Sequence, residues 1–464
     1  MSRRDRSPGQ NPASGAGLRR GLVRELRARE VIRSDSVAAA FAAVPRERFI
    51  PEVLKDRGVA AVYRDEAFVT KRDARGLPLS SSSQPAMMAE MLELLDLRPG
   101  QRVLEIGAGT GYNAALLASI VGPAGRVDSI DIDPETAGRA RRALREGGFK
   151  VAVAVGDGRS GFSPHAPYDR IIVTASADRI PRAWLQQLAE RGRLEPVLRL
   201  DRDHDAVQLI PVFERRGNAL HSLDMTWGGF MPLHGGDGGW LAPRASLSAG
   251  RSRSGQHSSF VSLSGRGLSR LSDPAARGLL LAALDDLGPP RAAGLTPLGR
   301  GHTPLLLIYL LTRIPQPRRI WIRQAGRHGI GLIGASRRTA SVVSVRSTWL
   351  TSSGPPRARA RWQLHDYGDG EEAGLELERM LDDWRGLQAS GAPELGIKSH
   401  PAAGDSLRLR FGWKAGVVTT GARQPGASPR ESRVADRDVS GRRGEPEQPQ
   451  QSQLGGVDRE PAVE

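Results

Sequence analysis

The stretch that most constrains this chain is residues 102–118, RVLEIGAGTGYNAALLA. Val103, Leu104 and Ile106 make the short apolar run of a buried parallel strand. Gly107, Gly109 and Gly111 follow at once, and an apolar helical pattern begins after Tyr112. Strand, glycine turn and helix in this order form the entrance to a nucleotide-type site in an open α/β sheet. Glycine lets the backbone turn sharply and approach a ligand closely, because it carries no Cβ. The spacing is Gly-x-Gly-x-Gly, so the Gly-x-Gly-x-x-Gly dinucleotide fingerprint is not met. Glu105 stands two residues before the first glycine, and a carboxylate there suits a cationic ligand better than a pyrophosphate. S-adenosylmethionine, which carries an ammonium and a sulfonium, is such a ligand.

The flanking sequence extends the pattern. A strand ends at Ser129-Ile130-Asp131, which puts Asp131 at its carboxyl end, where a carboxylate can accept both hydroxyls of a ribose. Asp133 and Pro134 cap and start the next helix. A third strand over 151–155 ends at Gly156-Asp157-Gly158, where Asp157 can accept from an adenine amine. A fourth runs from Tyr168 to Thr174, a helix covers 181–188, and 194–198 and 207–213 read as an antiparallel pair at the sheet edge. Glu105, Asp131 and Asp157 thus fall at successive strand ends of one βαβαβ run, the edge at which open α/β sheets bind ligands. Upstream, helices are expected near 18–31 and 36–43, the second capped by Ser34 or Asp35. A polar loop ends in Ser80-Ser81-Ser82-Ser83-Gln84-Pro85, and Pro85 suits the first turn of the helix that follows. A helix N-cap at Ser83 is compatible with a role in binding.

Composition narrows the function classes. With Cys 0, disulfides, thiolate metal sites and cysteine nucleophiles are excluded. The net charge of +16 raises nucleic-acid contact as an option, but the arginines are scattered and form no stripe interleaved with aromatics. The nine histidines, His204, His221 and His234 among them, show no metal spacing. The basic start lacks an apolar h-region, and the longest aliphatic run, 305–311, is far short of a membrane span. A soluble cytoplasmic protein is expected.

The segments VPRERFIP, SSSQPAMMAEMLELL, RVLEIGAGTGYNAALLA, GDG and APYDRIIVTASADRIP occur in that order, and over roughly residues 20–215 the chain resembles the protein-L-isoaspartate O-methyltransferases. The resemblance implies a class I S-adenosylmethionine-dependent methyltransferase, α/β with a Rossmann-like doubly wound sheet. It further implies S-adenosyl-L-methionine as donor and a peptide or protein Asp or isoAsp carboxylate as acceptor. The family's pattern puts Ser83 in the catalytic turn, with Ser82, Gln84 and Thr174 beside the acceptor. Glu105, Gly107, Gly109, Thr110, Gly111, Asp131, Asp157 and Gly158 fall on cofactor positions. Two departures stand out: Ser82 replaces the usual Ile, and Glu195-Pro196 place a charge and a missing N–H in a strand that is usually apolar.

The length of 464 residues and the stretch Trp227-Gly228-Gly229-Phe230-Met231-Pro232-Leu233 resemble the actinobacterial extended branch of that family. That likeness implies a modified, lanthipeptide-like precursor peptide as a candidate partner. The expected organisation is a disordered 1–15, a methyltransferase domain 16–240, a linker or long loop 241–272, a C-terminal α+β domain 273–416 and a disordered tail 417–464. Within the α+β domain a helix is expected from Asp273-Pro274 to Leu284 and another over 372–387; Val342, Val343 and Val345 read as a strand, and Leu407, Leu409, Phe411 and Trp413 as a last one. Two other function classes fit the same fold: an RNA or small-substrate methyltransferase, and an inactive domain that binds a peptide.

Overall fold

The computed structural model describes residues 15–74, 76–200 and 208–233, and in the C-terminal half 246–251, 259–264, 291–292, 295, 303–315, 318–324, 327–334, 339–346, 362–368, 371–389, 393–401 and 404–415. Helices α1 (Gly15–Ala28), α2 (Asp35–Ala43) and α3 (Pro51–Val62) come first. The Ser34 hydroxyl accepts from Val37 N at 3.3 Å and caps α2. A hairpin of β1 (Phe68–Arg72) and β2 (Pro78–Ser82) leads into α4 (Pro85–Leu95), with Pro85 in its first turn.

The doubly wound part follows: β3 (Arg102–Ile106), α5 (Tyr112–Val121), β4 (Arg126–Asp131), α6 (Pro134–Glu146), β5 (Val151–Val155) and β6 (Tyr168–Ala177). Asp133 caps α6 by accepting from Thr136 N. Strands β3 to β6 pair in parallel in the order β5-β4-β3-β6. The chain runs outward from β3 to β5, then crosses back to lay β6 on the other side of β3. The switch point therefore lies between the carboxyl ends of β3 and β6, which is where such sheets open a crevice. Strand β3 is buried on both faces. Val103 belongs to a core shared with α1 to α5, while Leu104 and Ile106 belong to a second core.

After β6 come β7 (Ile180–Pro181), α7 (Arg182–Gln187), β8 (Leu188–Arg199), β9 (Gln208–Arg216) and β10 (Ala219–Trp227). Strands β8 and β9 are antiparallel as expected, but they are not the edge: the sheet continues through β10 and two late strands. These are β18 (Pro393–Pro401) and β19 (Ser406–Ala415), and β19 returns to pair with β7, completing a ten-stranded sheet. Local pattern could not reveal this, because the strands that cover β10 lie far along the chain.

The rest of the C-terminal half forms a second, seven-stranded sheet of β11 (Ser246–Arg251), β12 (Ser259–Ser264), β13 (Arg291–Ala292), β14 (Arg319–Gln324), β15 (Arg327–Ile333), β16 (Thr339–Arg346) and β17 (Gln363–Gly368). Strands β11 and β12 occupy part of the stretch expected as a linker. Its Ser/Gly/Arg-rich average masked the apolar Phe260, Val261 and Leu263. Helix α8 (Thr303–Arg313) carries the aliphatic run, and every residue from Leu305 to Leu311 is buried, as a helix apolar all round must be. Helix α9 (Glu372–Ala389) presents Leu377, Leu381 and Trp384 inward. Tyr309, Trp384 and Trp413 meet with ring centroids 5.1–5.6 Å apart and join α8, α9 and β19. One continuous core thus runs from Leu104 and Ile106 into α8 and α9. The expected helix over 273–284 and both expected disordered ends, save Gly15, lie outside the described residues.

The Glu195-Pro196 departure leaves a mark on the sheet. The β8–β9 ladder is interrupted between Leu194↔Phe213 and Leu198↔Leu209, a stretch that holds Pro196 on one strand and Pro211 on the other. Neither proline has an N–H to give. Glu195 is fully buried and neither carboxyl oxygen has a hydrogen-bond partner among the described residues. Burial, helped by nearby Glu90, pushes its carboxyl well above the usual carboxylate range, so that it is most stable neutral. Replacing Glu195 with Leu is expected to stabilise the fold at pH 7 by about 1–3 kcal/mol, since a buried polar group without partners is lost. Urea unfolding measures this, and a Glu195→Leu protein less stable than the wild type would contradict it.

Candidate active site

The glycine turn after β3 meets β6 at the switch point. The Thr174 hydroxyl donates to Gly107 O at 2.7 Å and lies 3.2 Å from Ile106 O. Gly107 has φ +103°, and a Cβ there would sit 2.6 Å from Thr174 Oγ1, so only glycine fits. Asp131, at the end of β4, accepts from Gly109 N (3.0 Å) through one oxygen and from Asp133 N (3.0 Å) through the other. The carboxylate is thereby fixed in orientation by two backbone N–H groups. Helix α5 begins at Tyr112 with Gly111 as its N-cap and no side-chain cap, leaving its first N–H groups toward the turn. Among them Tyr112 N has the Thr110 hydroxyl at 3.3 Å.

Glu105 is completely buried beneath this turn. Asn113 donates to one of its oxygens at 2.9 Å and Ser129 to the other at 2.5 Å. Burial is the largest influence and pushes the carboxyl up to about 7, against the pull of Ser129 and Asn113.

The opposite wall is the Ser-Gln-Pro turn. Ser83 and Gln84 leave β2 and enter α4, whose N-cap is Gln84. The residue that holds this turn is Arg46, which the sequence reading did not single out. Its guanidinium is wholly buried and donates to Val62 O, Arg64 O, Glu66 O, Ser82 Oγ and Ser83 O at 2.9–3.3 Å. It lies 5.2 Å from the Phe68 ring centroid and 5.9 Å from that of Tyr112. Burial lowers its pKa from the usual arginine value. The available signal was an arginine placed just after the Val44-Pro45 break in an otherwise apolar segment. A second clamp comes from Asp65, which accepts from Gln84 Nε2 (3.0 Å), Ala86 N (2.8 Å) and Arg29 Nη1 (2.8 Å). Lys71 ties the hairpin to the start of α6 through Asp133 and Glu135, both at 2.6 Å.

The third wall is residues 228–233. Ser176 N donates to Met231 O and Leu233 N to Ser176 O, each at 2.8 Å, just beyond Thr174. Gln208 grips Phe230 through both of its backbone polar groups, at 2.7 and 3.0 Å.

These walls enclose one cavity of about 870 Å³. It brings together Ser82, Ser83, Gln84, Glu105, Gly107, Gly109, Thr110, Asp131, Gly158 and Thr174. Gly111 and Asp157 do not line it. A Cβ on Gly111 would press on Ala140 and Leu144 of α6 at 3.2–3.3 Å, so that glycine permits helix packing. Asp157 accepts from Arg159 Nε and Nη2 at 2.9 and 2.5 Å and from Arg159 N at 3.0 Å, and these contacts hold its carboxyl below the usual range. Gly158 is fixed by Trp184, whose indole N–H donates to Gly158 O at 2.8 Å.

A crevice at the switch point, floored by glycines, with a carboxylate at the next strand end and a helix N-terminus without a side-chain cap, fits the functional groups of S-adenosylmethionine. Fold and site define a class I S-adenosylmethionine-dependent methyltransferase. The family model Protein-L-isoaspartate(D-aspartate) O-methyltransferase matches residues 18–237. The Protein-L-isoaspartate O-methyltransferase of Methanopyrus kandleri is 40% identical over 233 residues, which is 47% of this chain and 92% of that one. Protein-L-isoaspartate O-methyltransferase 2 of Archaeoglobus fulgidus is 42% identical over 226 residues, 47% of this chain and 93% of its own. A solved protein-L-isoaspartate O-methyltransferase structure is 25% identical with a TM-score of 0.45, covering 84% of this chain and 98% of that one. The chain belongs to the protein-L-isoaspartate O-methyltransferase family. Among the described residues, no helix is long and apolar enough to cross a membrane.

Glu105 gives the site a measurable pH signature. Its carboxyl titrates near 7 in the folded protein against an ordinary 4.5. Between those values the folded state keeps a proton that the unfolded chain has released, so stability falls as pH rises through the window. The shift corresponds to about 3 kcal/mol. From pH 5 to 7.5 the wild type is expected to lose about that much more stability in urea unfolding than Glu105→Gln; equal losses would contradict the assignment.

Proposed function

We propose that this enzyme methylates the free α-carboxylate of isoaspartyl residues in peptides or proteins, giving a methyl ester that closes to a succinimide when the amide nitrogen of the following residue displaces methanol. The observation that carries the reading is that Ser83, pinned through its own carbonyl by Arg46, lines the same cavity as the glycine turn. When bound, the donor supplies a methyl group on a positively charged sulfur. On the donor side, Asp131 would take the ribose hydroxyls, and the α5 N-terminus the amino-acid carboxylate. Glu105, once ionised, would supply negative charge to the side of the cavity that takes the amino-acid ammonium. Gly107, Gly109 and Gly158 keep the floor free of side chains, and Gly111 sets α5 against α6.

The acceptor needs little activation. A carboxylate with a reference pKa of about 4 is already ionised at neutral pH, so no general base is called for. What remains is alignment of its oxygen with the methyl carbon. The Ser83 hydroxyl has no partner among the described residues and is available to donate to the non-reacting acceptor oxygen. Ser82 is committed to Arg46 and Gln84 to Asp65, so these two set the position of the turn. Thr174 secures the glycine turn opposite.

Transfer of a labelled methyl group to a synthetic isoaspartyl peptide, but not to its aspartyl counterpart or to RNA, tests the reading. Ser83→Ala is expected to cut kcat/KM about 10- to 100-fold, the worth of one hydrogen bond to a charged group. Labelling of RNA with none on the peptide would overturn the proposal.

A further inference from the structure

The chain has seven methionines, and five of them line this one cavity: Met87, Met88, Met91, Met225 and Met231. Met88 and Met91 are buried within α4, but Met87, Met225 and Met231 are half-buried. Trp227 and Phe230 border the same space and are also half-buried. Gly228 brings the backbone down onto Met87: a Cβ there would lie 3.0 Å from its Cε and 3.1 Å from its Sδ. Elsewhere the buried core is filled mainly by Leu, Ile and Val. Methionine is unbranched and polarizable, so a wall of it re-forms around partners of different shape. At about 870 Å³ the cavity lies toward the top of the ~300–1,000 Å³ range of ligand pockets. The glycine turn, Ser83 and these methionines line the same cavity.

Charges of both signs line the same cavity. Arg29 and Arg33 face the cavity together with Glu30 and Glu90. Arg29 is paired with Glu25 and Asp65, and Glu90 accepts from the Thr226 hydroxyl at 2.9 Å. The arginines Arg29 and Arg33 and the glutamates Glu30 and Glu90 thus carry equal and opposite formal charge. We infer that the acceptor site is specific for isoaspartyl peptides with a bulky apolar side chain adjacent to the isoaspartate, which seats against Met87, Met225 and Trp227. The inference rests on the carboxyl-methylation reading and adds the flanking residue that the site selects.

The test is a panel of synthetic isoaspartyl peptides with Leu, Ala or Glu on either side of the isoaspartate, assayed with the full-length protein. The expected result is a kcat/KM at least ten-fold higher for a Leu peptide than for its Ala counterpart, carried mainly by KM. Equal values for Leu and Ala, or a preference for Glu, with transfer proceeding, would overturn this inference alone. Absence of transfer to every peptide would overturn the carboxyl-methylation reading and this inference with it. In a Met87→Ala, Met225→Ala double variant the Leu-to-Ala ratio is expected to fall several-fold; an unchanged ratio would overturn the assignment to that wall. The wild-type panel decides the matter by itself if the variant does not fold.

Discussion

The contact between Gly107 and Thr174 is the constraint on which the rest of this site depends. Two parallel strands bring their carboxyl ends side by side, and one hydroxyl closes the gap by bonding the backbone of the turn. The turn passes so near the threonine that a single methyl group would collide with it. This packing directs the following residues away from β6 and toward Asp131, which takes hold of Gly109. The crevice therefore follows from strand order plus one position without a side chain.

A second constraint operates across the cavity. The Ser-Gln-Pro turn follows a short hairpin with an irregular register, which by itself would hold its shape poorly. Arg46 compensates from below, its two terminal nitrogens donating to the carbonyls of Val62, Arg64 and Glu66, to the Ser82 hydroxyl and to the Ser83 carbonyl. A buried guanidinium without a carboxylate against it is costly, and hydrogen bonds to several carbonyls are what make it tolerable. Its planar fork reaches acceptors that a lysine could not reach together. The protein thus invests a buried charge in the placement of the Ser82-Ser83 turn relative to the glycines.

Much of this was legible in the residues, and the limits have physical reasons. The βαβ run was readable because parallel strands buried on both faces are continuous apolar segments, and because Asp133-Pro134 and Ser34 announce helix starts in local code. Glu105 and Asp131 were recognisable as strand-end carboxylates. What local code does not record is which side-chain partner each finds in three dimensions: Asp157 is bound by Arg159, and Glu105 lies buried on Ser129 and Asn113. The sheet's continuation was hidden for a related reason. Strands β18 and β19 reach the central sheet from more than 160 residues downstream of β10, and no periodicity in either segment encodes their pairing. The segment 228–233 was visible as a motif, yet its service as a wall depends on Ser176 and Gln208, which carry no signal of their own.

The central claim is that the switch-point crevice is a seat for an adenosyl donor. The most direct measurement is calorimetric titration of the folded, full-length protein with S-adenosyl-L-homocysteine, the product left after methyl transfer. The account predicts saturable binding of one molecule per chain, lost when Gly107 is replaced by Val so that the crevice is filled. No binding by folded wild-type protein, or undiminished binding by a folded Gly107→Val variant, would contradict it.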